Sequence, residues 1–337
     1  MIKINLEKKL FKVGISLNDF QDNYITLILD KEHKVVTKSN GTYNDRFSLN
    51  IDIDRNKNTK YKLAQIFLRH YNLNNDLKEY IDNIFTPINT IVDSRNLLTR
   101  IILNNPDEIE NIINSINTYK DTIPENIFTN INNIIKKIFN YERDRNIITN
   151  EIKKADFRVC IYCNRNYISN FHSNNVTRAT FTLDHFYQKD KYPIFGLSLY
   201  NLIPSCAVCN TNIKNTRNLD QYKNPYSNDY EFDEKAKFKL MPFYKTKLMT
   251  NDEECEKYIK DFYHNEIYDT HSKEIEEFTK KREVFTDDLI KKLSQITKHS
   301  PRRIKAFLFG EVIYKKILDT ESLAKLKKDI AKELKII

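Results

Sequence analysis

The spacing of apolar positions changes period along the chain. Near the N-terminus, residues 24–30 (YITLILD), 33–38 (HKVVTK) and 46–53 (RFSLNIDI) alternate apolar and polar, the period of strands. An Asn40-Gly41 turn signal lies between the last two. From about residue 56 to 155 the spacing becomes helical. In NNPDEIENIINSI, Asn105 can cap a helix, Pro106 suits its first turn and Glu108 completes a capping box. Ile109, Ile112, Ile113 and Ile116 then fall on one face. Residues 177–186 (TRATFTLDHF) alternate up to Asp184-His185 and predict a strand. Residues 197–204 (LSLYNLIP) predict a second, and a helix should follow from near Ala207 through Asn215. Residues 218–250 contain Pro225 and Pro242 and little periodicity, which predicts an irregular connector. From 251 the pattern is helical again, with Ser300-Pro301 opening one helix and Thr320 capping the last. The expectation is an α+β chain in four parts: a strand-containing, mainly helical region (1–155), a short core (156–217), a connector (218–250) and a helical region (251–337).

Composition narrows the class. Of 337 residues, 40% are hydrophobic and 30% charged, enough apolar material for a core and against global disorder. No stretch of about 18 uncharged apolar residues occurs, so no membrane span is expected. The opening MIKINLEKKLFKVG lacks an apolar signal core, which points to the cytoplasm. The formal net charge of +9 favours a polyanionic partner. It is unevenly spread. Residues 156–217 hold seven basic and three acidic side chains, residues 229–290 hold eleven and seventeen, and residues 291–337 hold thirteen and five. For the tail, a solvated helix face and nucleic-acid contact explain the charge equally well.

Four of the five cysteines form two Cys-x-x-Cys pairs, Cys160–Cys163 and Cys206–Cys209. Two pairs of identical spacing are the ligand set of a closed structural Zn²⁺ site, and they fit a reducing compartment better than a disulfide framework does. Forty-two residues separate Cys163 from Cys206, so the clamp must enclose further structure. Cys255 stands alone and reads as an ordinary small side chain, and His172 as part of a loop tip.

Between the knuckles lies Asp184-His185, and directly after the last cysteine comes Asn210. A neutral imidazole can take a proton from water near pH 7. A carboxylate and a side-chain amide oxygen suit a hard cation such as Mg²⁺ or Mn²⁺. One base and one such cation suffice for phosphodiester hydrolysis. Successive strand residues face opposite ways, so Asp184 and His185 can cooperate only where regular pleating ends. Arg158, Arg165, Arg178, Lys189, Lys191 and Lys214 are candidate phosphate contacts, with Lys214, one turn past Asn210, foremost.

The segment DHFYQKDKYPIFGLSLYNLIPSCAVCN resembles the core of the HNH, or ββα-metal, endonuclease superfamily in its four-cysteine zinc form. The resemblance covers about sixty residues. It implies that His185 is the general base, Asp184 and Asn210 the catalytic metal ligands, and Asn201 the residue that orients the base and its loop. It implies a ββα fold pinned by zinc, a catalytic Mg²⁺ or Mn²⁺, and DNA as substrate. Its detailed form is similar to nucleases of bacterial anti-phage systems such as Septu, in which the nuclease works beside an ATPase. That likeness implies an antiviral role and an ATPase subunit encoded nearby. Two other readings stay open: a non-catalytic zinc-stapled module that binds nucleic acid or protein, and an HNH nuclease that cuts RNA. Each residue has a bland alternative too. Asp184 can cap a turn, His185 can sit in a core, and Asn201 and Asn210 are two of many asparagines.

Overall fold

The computed structural model describes residues 2–34, 60–173, 176–316 and 318–337. The chain is α+β, dominated by helices, and the strands among the described residues form two-stranded antiparallel pairs. None of the described helices is long and apolar enough to cross a membrane.

Helices α1 (Leu6–Lys12) and α2 (Leu17–Leu29) open the chain. Residues 24–30, expected as a strand, belong to α2 and its C-cap. The Ser16 hydroxyl accepts from the Asp19 N–H and starts the helix early. Buried Phe20, Tyr24, Ile25, Ile28 and Leu29 then recur at the helical period. A seven-residue window with apolar residues at both odd and even positions could not show this. The strand expected over 33–38 is represented by β1 (His33–Lys34), paired with β2 (Lys60–Tyr61). Its remainder, the Asn40-Gly41 turn and the strand expected over 46–53 lie outside the described residues.

Six helices follow: α3 (Leu63–Leu73), α4 (Asn75–Ile84), α5 (Ile91–Leu103), α6 (Pro106–Lys120), α7 (Glu125–Ile138) and α8 (Tyr141–Ile152). Asparagine has a clear job here. Asn5, Asn74, Asn105 and Asn140 each accept from the backbone N–H three residues on and cap α1, α4, α6 and α8. In α6, Pro106 sits in the first turn and Ile109, Ile112, Ile113 and Ile116 are buried.

The middle of the chain carries β3 (Asn170–Ser173) paired with β4 (Val176–Ala179), and β5 (Thr182–His185) paired with β6 (Leu202–Ser205). The long strand expected over 177–186 is thus two strands broken at Thr180-Phe181. There the Thr180 N–H and hydroxyl turn back onto Ser169. Residues 218–250 are more ordered than expected. They form α9 (Phe232–Lys235) and a hairpin of β7 (Lys237–Leu240) and β8 (Thr246–Met249). Phe243 and Tyr244 take left-handed φ values of 60° and 57° in its turn. Four-residue strands around a turn without glycine give too little alternation to read.

The C-terminal part contains α10 (Glu253–Asp261), α11 (His264–Tyr268), α12 (Ser272–Val284), α13 (Asp287–Thr297), α14 (Pro301–Phe309) and α15 (Ala324–Glu333). Ser300 caps α14 as expected. Thr320 does not cap the last helix, which begins after Leu323. Its capping group comes from across the fold. The Asn164 backbone carbonyl accepts from the Leu323 N–H at 2.7 Å, and Asn164 Oδ1 accepts from the Lys325 N–H at 2.9 Å. Several cations of the basic tail are also turned inward. Lys325 is buried and donates to the Asp233 and Ala236 carbonyls and to Asp329, while Lys305 reaches the Ile336 carbonyl. One continuous apolar core takes in residues from the N-terminal helices, the cysteine segment and the C-terminal helices.

Candidate functional site

The four knuckle cysteines come together. Their sulfur atoms all lie within 4.8 Å of one another and all four residues are buried. A tetrahedral ion with bonds of about 2.3 Å would need sulfurs roughly 3.8 Å apart, so the cluster is sized for one metal ion such as zinc. The first knuckle is closed by backbone bonds from Cys160 N to Asn166 O and from Asn164 N to Cys160 O, with Asn164 in the left-handed region at φ 51°. Two further N–H groups point at sulfur: Asn166 Nδ2 lies 3.2 Å from Cys206 Sγ and the Arg165 N–H 3.4 Å from Cys163 Sγ. Such donors favour thiolates, the form a metal requires. Cys255 lies elsewhere, at the start of α10, and burial pushes its thiol up to about 12.

Both flanks of the chain close on the clamp. The Ile161 carbonyl accepts from the Ile2 N–H, and the Ile161 N–H donates to the Pro204 carbonyl, joining the first knuckle to β6. The Tyr268 hydroxyl donates to the Cys163 carbonyl, and His264 Nε2 lies 3.0 Å from the Tyr162 carbonyl.

The β5–β6 hairpin pairs Thr182 with Ser205, Asp184 with Ile203 and His185 with Leu202. Behind it runs a wide π-type helical turn, Val208–Lys214, with Asn215 N bonded to Asn210 O. Alternation puts Thr182 and Asp184 on one face of β5, and both touch this turn. Asn210 Nδ2 donates to Thr182 Oγ1 at 2.9 Å, and Lys214 Nζ donates to Asp184 Oδ1 at 2.9 Å. His185 ends the strand and faces the other way, its ring edge-on to Tyr141 with centroids 4.6 Å apart. Asp184, His185, Asn210 and Lys214 nevertheless border one cleft of about 460 Å³, which Tyr141 and Glu142 also line. They share it because the pleat stops at His185.

Each side chain has a defined setting. His185 Nε2 lies 2.9 Å from the Gly196 carbonyl oxygen. Burial lowers the imidazole pKa from 6.5 to about 4, so the ring is neutral at pH 7. Gly196 sits where a side chain would not fit: a Cβ there would meet the Phe139 carbonyl oxygen at 2.8 Å and that of Pro193 at 3.1 Å. Asn201 is fully buried. Its Oδ1 accepts from the Tyr187 N–H at 2.7 Å, and its Nδ2 donates to the Tyr187 and Phe195 carbonyls at 3.0 and 3.1 Å. It thereby ties down both ends of the loop between His185 and Gly196. It does so from a single helical turn, Leu199–Asn201, and not from the strand expected there.

Asp184 is engaged on both oxygens. Besides Lys214 on Oδ1, the Tyr162 hydroxyl donates to Oδ2 at 2.5 Å. Burial raises its pKa, while Lys214 and Tyr162 oppose that rise. Tyr162 had no sequence signal, since nothing marks one residue inside a knuckle as reaching the strand behind it. Tyr141 and Gly196 were likewise invisible, because their contacts cross the fold.

The basic candidates divide. Lys214 is buried against Asp184 and also donates to the His185 carbonyl at 2.8 Å, so it does not project toward solvent. Lys189 stands at the cleft rim, paired with Glu142 at 2.7 Å. Arg165 and Lys191 are held by the Ile267 carbonyl and by Asp220. Arg178 is exposed on β4. Arg158 is exposed, pairs with Asp156 and borders a different cleft beside Lys9, Lys12, Lys315 and Lys316.

The hard cation expected from the sequence falls on Asp184 and Asn210, a carboxylate and an amide that border the same cleft. Asp184 already faces the Lys214 ammonium, and the Asn210 amide nitrogen is taken by Thr182. No protein-family model, no curated protein and no solved structure matches the chain.

Proposed function

We propose that this cleft hydrolyses phosphodiester bonds of DNA, as an HNH endonuclease whose ββα core is residues 156–217. The observation that carries the reading is His185. Its Nε2 faces a carbonyl, which can only accept, so Nε2 holds the ring proton and Nδ1 carries the lone pair. The ring is neutral and borders the cleft alongside Asp184 and Asn210. In this reading His185 Nδ1 takes a proton from water and the water oxygen attacks phosphorus. The bond to the 3′-oxygen breaks, leaving 5′-phosphate and 3′-hydroxyl ends. Asn201 holds the loop that carries the Gly196 carbonyl and so keeps His185 in one tautomer and orientation. Asp184 and Asn210 are the residues that would hold Mg²⁺ or Mn²⁺, which when bound supplies stabilisation of charge on the phosphate and leaving oxygen. The four cysteines hold Zn²⁺ as a structural ion. The order of these residues between two knuckles supports an antiviral role beside an ATPase, by likeness to Septu-type nucleases.

One observation favours a different reading. Asp184 is satisfied by Lys214 and Tyr162, as expected of a structural carboxylate in a zinc-stapled module that binds without cutting. Plasmid DNA and matched RNA incubated with the zinc-loaded protein and Mg²⁺, Mn²⁺ or EDTA separate the readings. The nuclease reading expects divalent-dependent cleavage of DNA that falls about 10²–10⁴-fold in His185→Ala. Undiminished cleavage by that variant removes His185 from the mechanism, and binding without cleavage favours the module.

A further inference from the structure

Lys214 is the group that the proposed chemistry leaves unused. It is buried, and its ammonium touches Asp184 Oδ1, of the carboxylate that the nuclease reading gives to the cation, together with the His185 carbonyl. We propose that Lys214 is an internal counter-ion that competes with a divalent cation for Asp184, and that it leaves Asp184 for an incoming phosphate, so that phosphate and divalent cation bind this cleft together. The inference rests on the nuclease reading of the same cleft.

Three observations support it. A buried carboxylate is retained only with a compensating partner, and Lys214 is the cation that faces Asp184 in the described structure. The Tyr162 hydroxyl occupies Oδ2, which leaves Oδ1 as the oxygen that both cations seek. A divalent ion and an ammonium on one oxygen repel each other, so the ion gains its place only when the ammonium moves. Lysine suits that exchange: its charge is a compact point at the end of a flexible stem, and it binds phosphate readily. Lys214 also has somewhere to go, because it borders the same cleft as Asn215, Thr216, Gln188 and Lys189. A phosphate entering there draws the ammonium off Asp184 and simultaneously frees the oxygen for the metal. The coupling is reciprocal: whatever factor phosphate adds to metal affinity, metal adds to phosphate affinity.

The test titrates Mn²⁺ into the full-length zinc-loaded protein and follows free Mn²⁺ by electron paramagnetic resonance. Mn²⁺ ranks below zinc in affinity for such sites and leaves the cysteine clamp alone. Titrations run with and without a phosphorothioate DNA duplex verified intact afterwards. In the wild type, the duplex should tighten Mn²⁺ binding by about fivefold or more. K214M should bind Mn²⁺ more tightly than wild type before any duplex is added, and D184N should abolish the site in both backgrounds. Wild-type Mn²⁺ affinity that the duplex does not change overturns the exchange, and this arm needs no variant should K214M fail to fold. Plasmid cleavage combined with uncoupled Mn²⁺ binding sinks the exchange and leaves the nuclease reading standing. Coupling sensitive to D184N in a protein that leaves plasmid intact supports the exchange and sinks the nuclease reading.

Discussion

The His185 imidazole hangs from the Gly196 carbonyl at 2.9 Å, and that carbonyl is in place because residue 196 has no side chain. A methyl group at 196 would press on two backbone oxygens, which cannot rotate away as a side chain can. Gly196→Ala should therefore shift the loop and cost about 1–3 kcal/mol, the usual range for overpacking. It should also lower any cleavage activity by more than the loss of folded protein accounts for. A variant with wild-type stability and turnover would show that the contact does not position the ring.

Asn201 offers a sharper contrast between two substitutions. Asn201→Ala leaves the Tyr187 N–H and two carbonyls without their partner, a loss of about 3 kcal/mol. Asn201→Asp should be worse, because a carboxylate would then face the Tyr187 and Phe195 carbonyls in a fully buried place. Thermal unfolding should rank wild type above Ala and Ala above Asp. An aspartate variant as stable as wild type would show that the Tyr187 and Phe195 carbonyls do not depend on a donor at residue 201.

The cysteine cluster predicts one zinc per chain by elemental analysis. Cys206→Ser should lower that content and destabilise the whole chain, since the N-terminal Ile2 and the C-terminal Tyr268 both bond to the first knuckle. The expected readout is one cooperative transition moved to lower temperature by chelator. A metal-free protein that melts with the holoprotein would remove the clamp from the fold's energetics.

Acid should destabilise the chain partly through His264. Burial lowers its pKa to about 3 in the folded state against 6.5 for the free side chain. Above pH 6.5 neither state is protonated and the residue adds no pH dependence. Below it the unfolded chain binds a proton that the folded chain refuses, so stability falls as pH drops from 6.5 toward 3. Between pH 6.5 and 4 the loss is about 3 kcal/mol at about 1.4 kcal/mol per pH unit. His264→Gln, able to keep the bond to the Tyr162 carbonyl, should lose correspondingly less between pH 7 and 4.5 in urea unfolding. An equal loss in both proteins would assign the acid sensitivity elsewhere.

Sequence and structure agree where the determining interactions are local. The Asn105 cap, the isoleucine face of α6 and the Ser300-Pro301 start depend on residues within two turns of each other, and all were readable. The cysteine pairs were readable because metal ligation imposes a spacing. The helical state of residues 24–30 was missed because it depends on a cap at Ser16, outside the window that alternates. Lys214 is legible as a candidate phosphate contact one turn past Asn210, but the ion pair that holds its ammonium on Asp184, thirty residues away, is not. Tyr162 and Gly196 matter through what they meet across the fold, which no linear pattern records.

Asn164 has a bearing on biosynthesis. Its amide and carbonyl are matched to Leu318, Leu323 and Lys325, more than 150 positions further along the chain. A ribosome that has delivered all four cysteines has still not delivered the groups that seat the turn between them. The nascent chain thus carries the sulfurs long before it carries their final setting, and a product arrested ahead of Leu318 would leave the Asn164 amide without these partners. Completion of the clamp's surroundings is therefore timed by translation: the first knuckle gains its last partners only after Lys325 has been made.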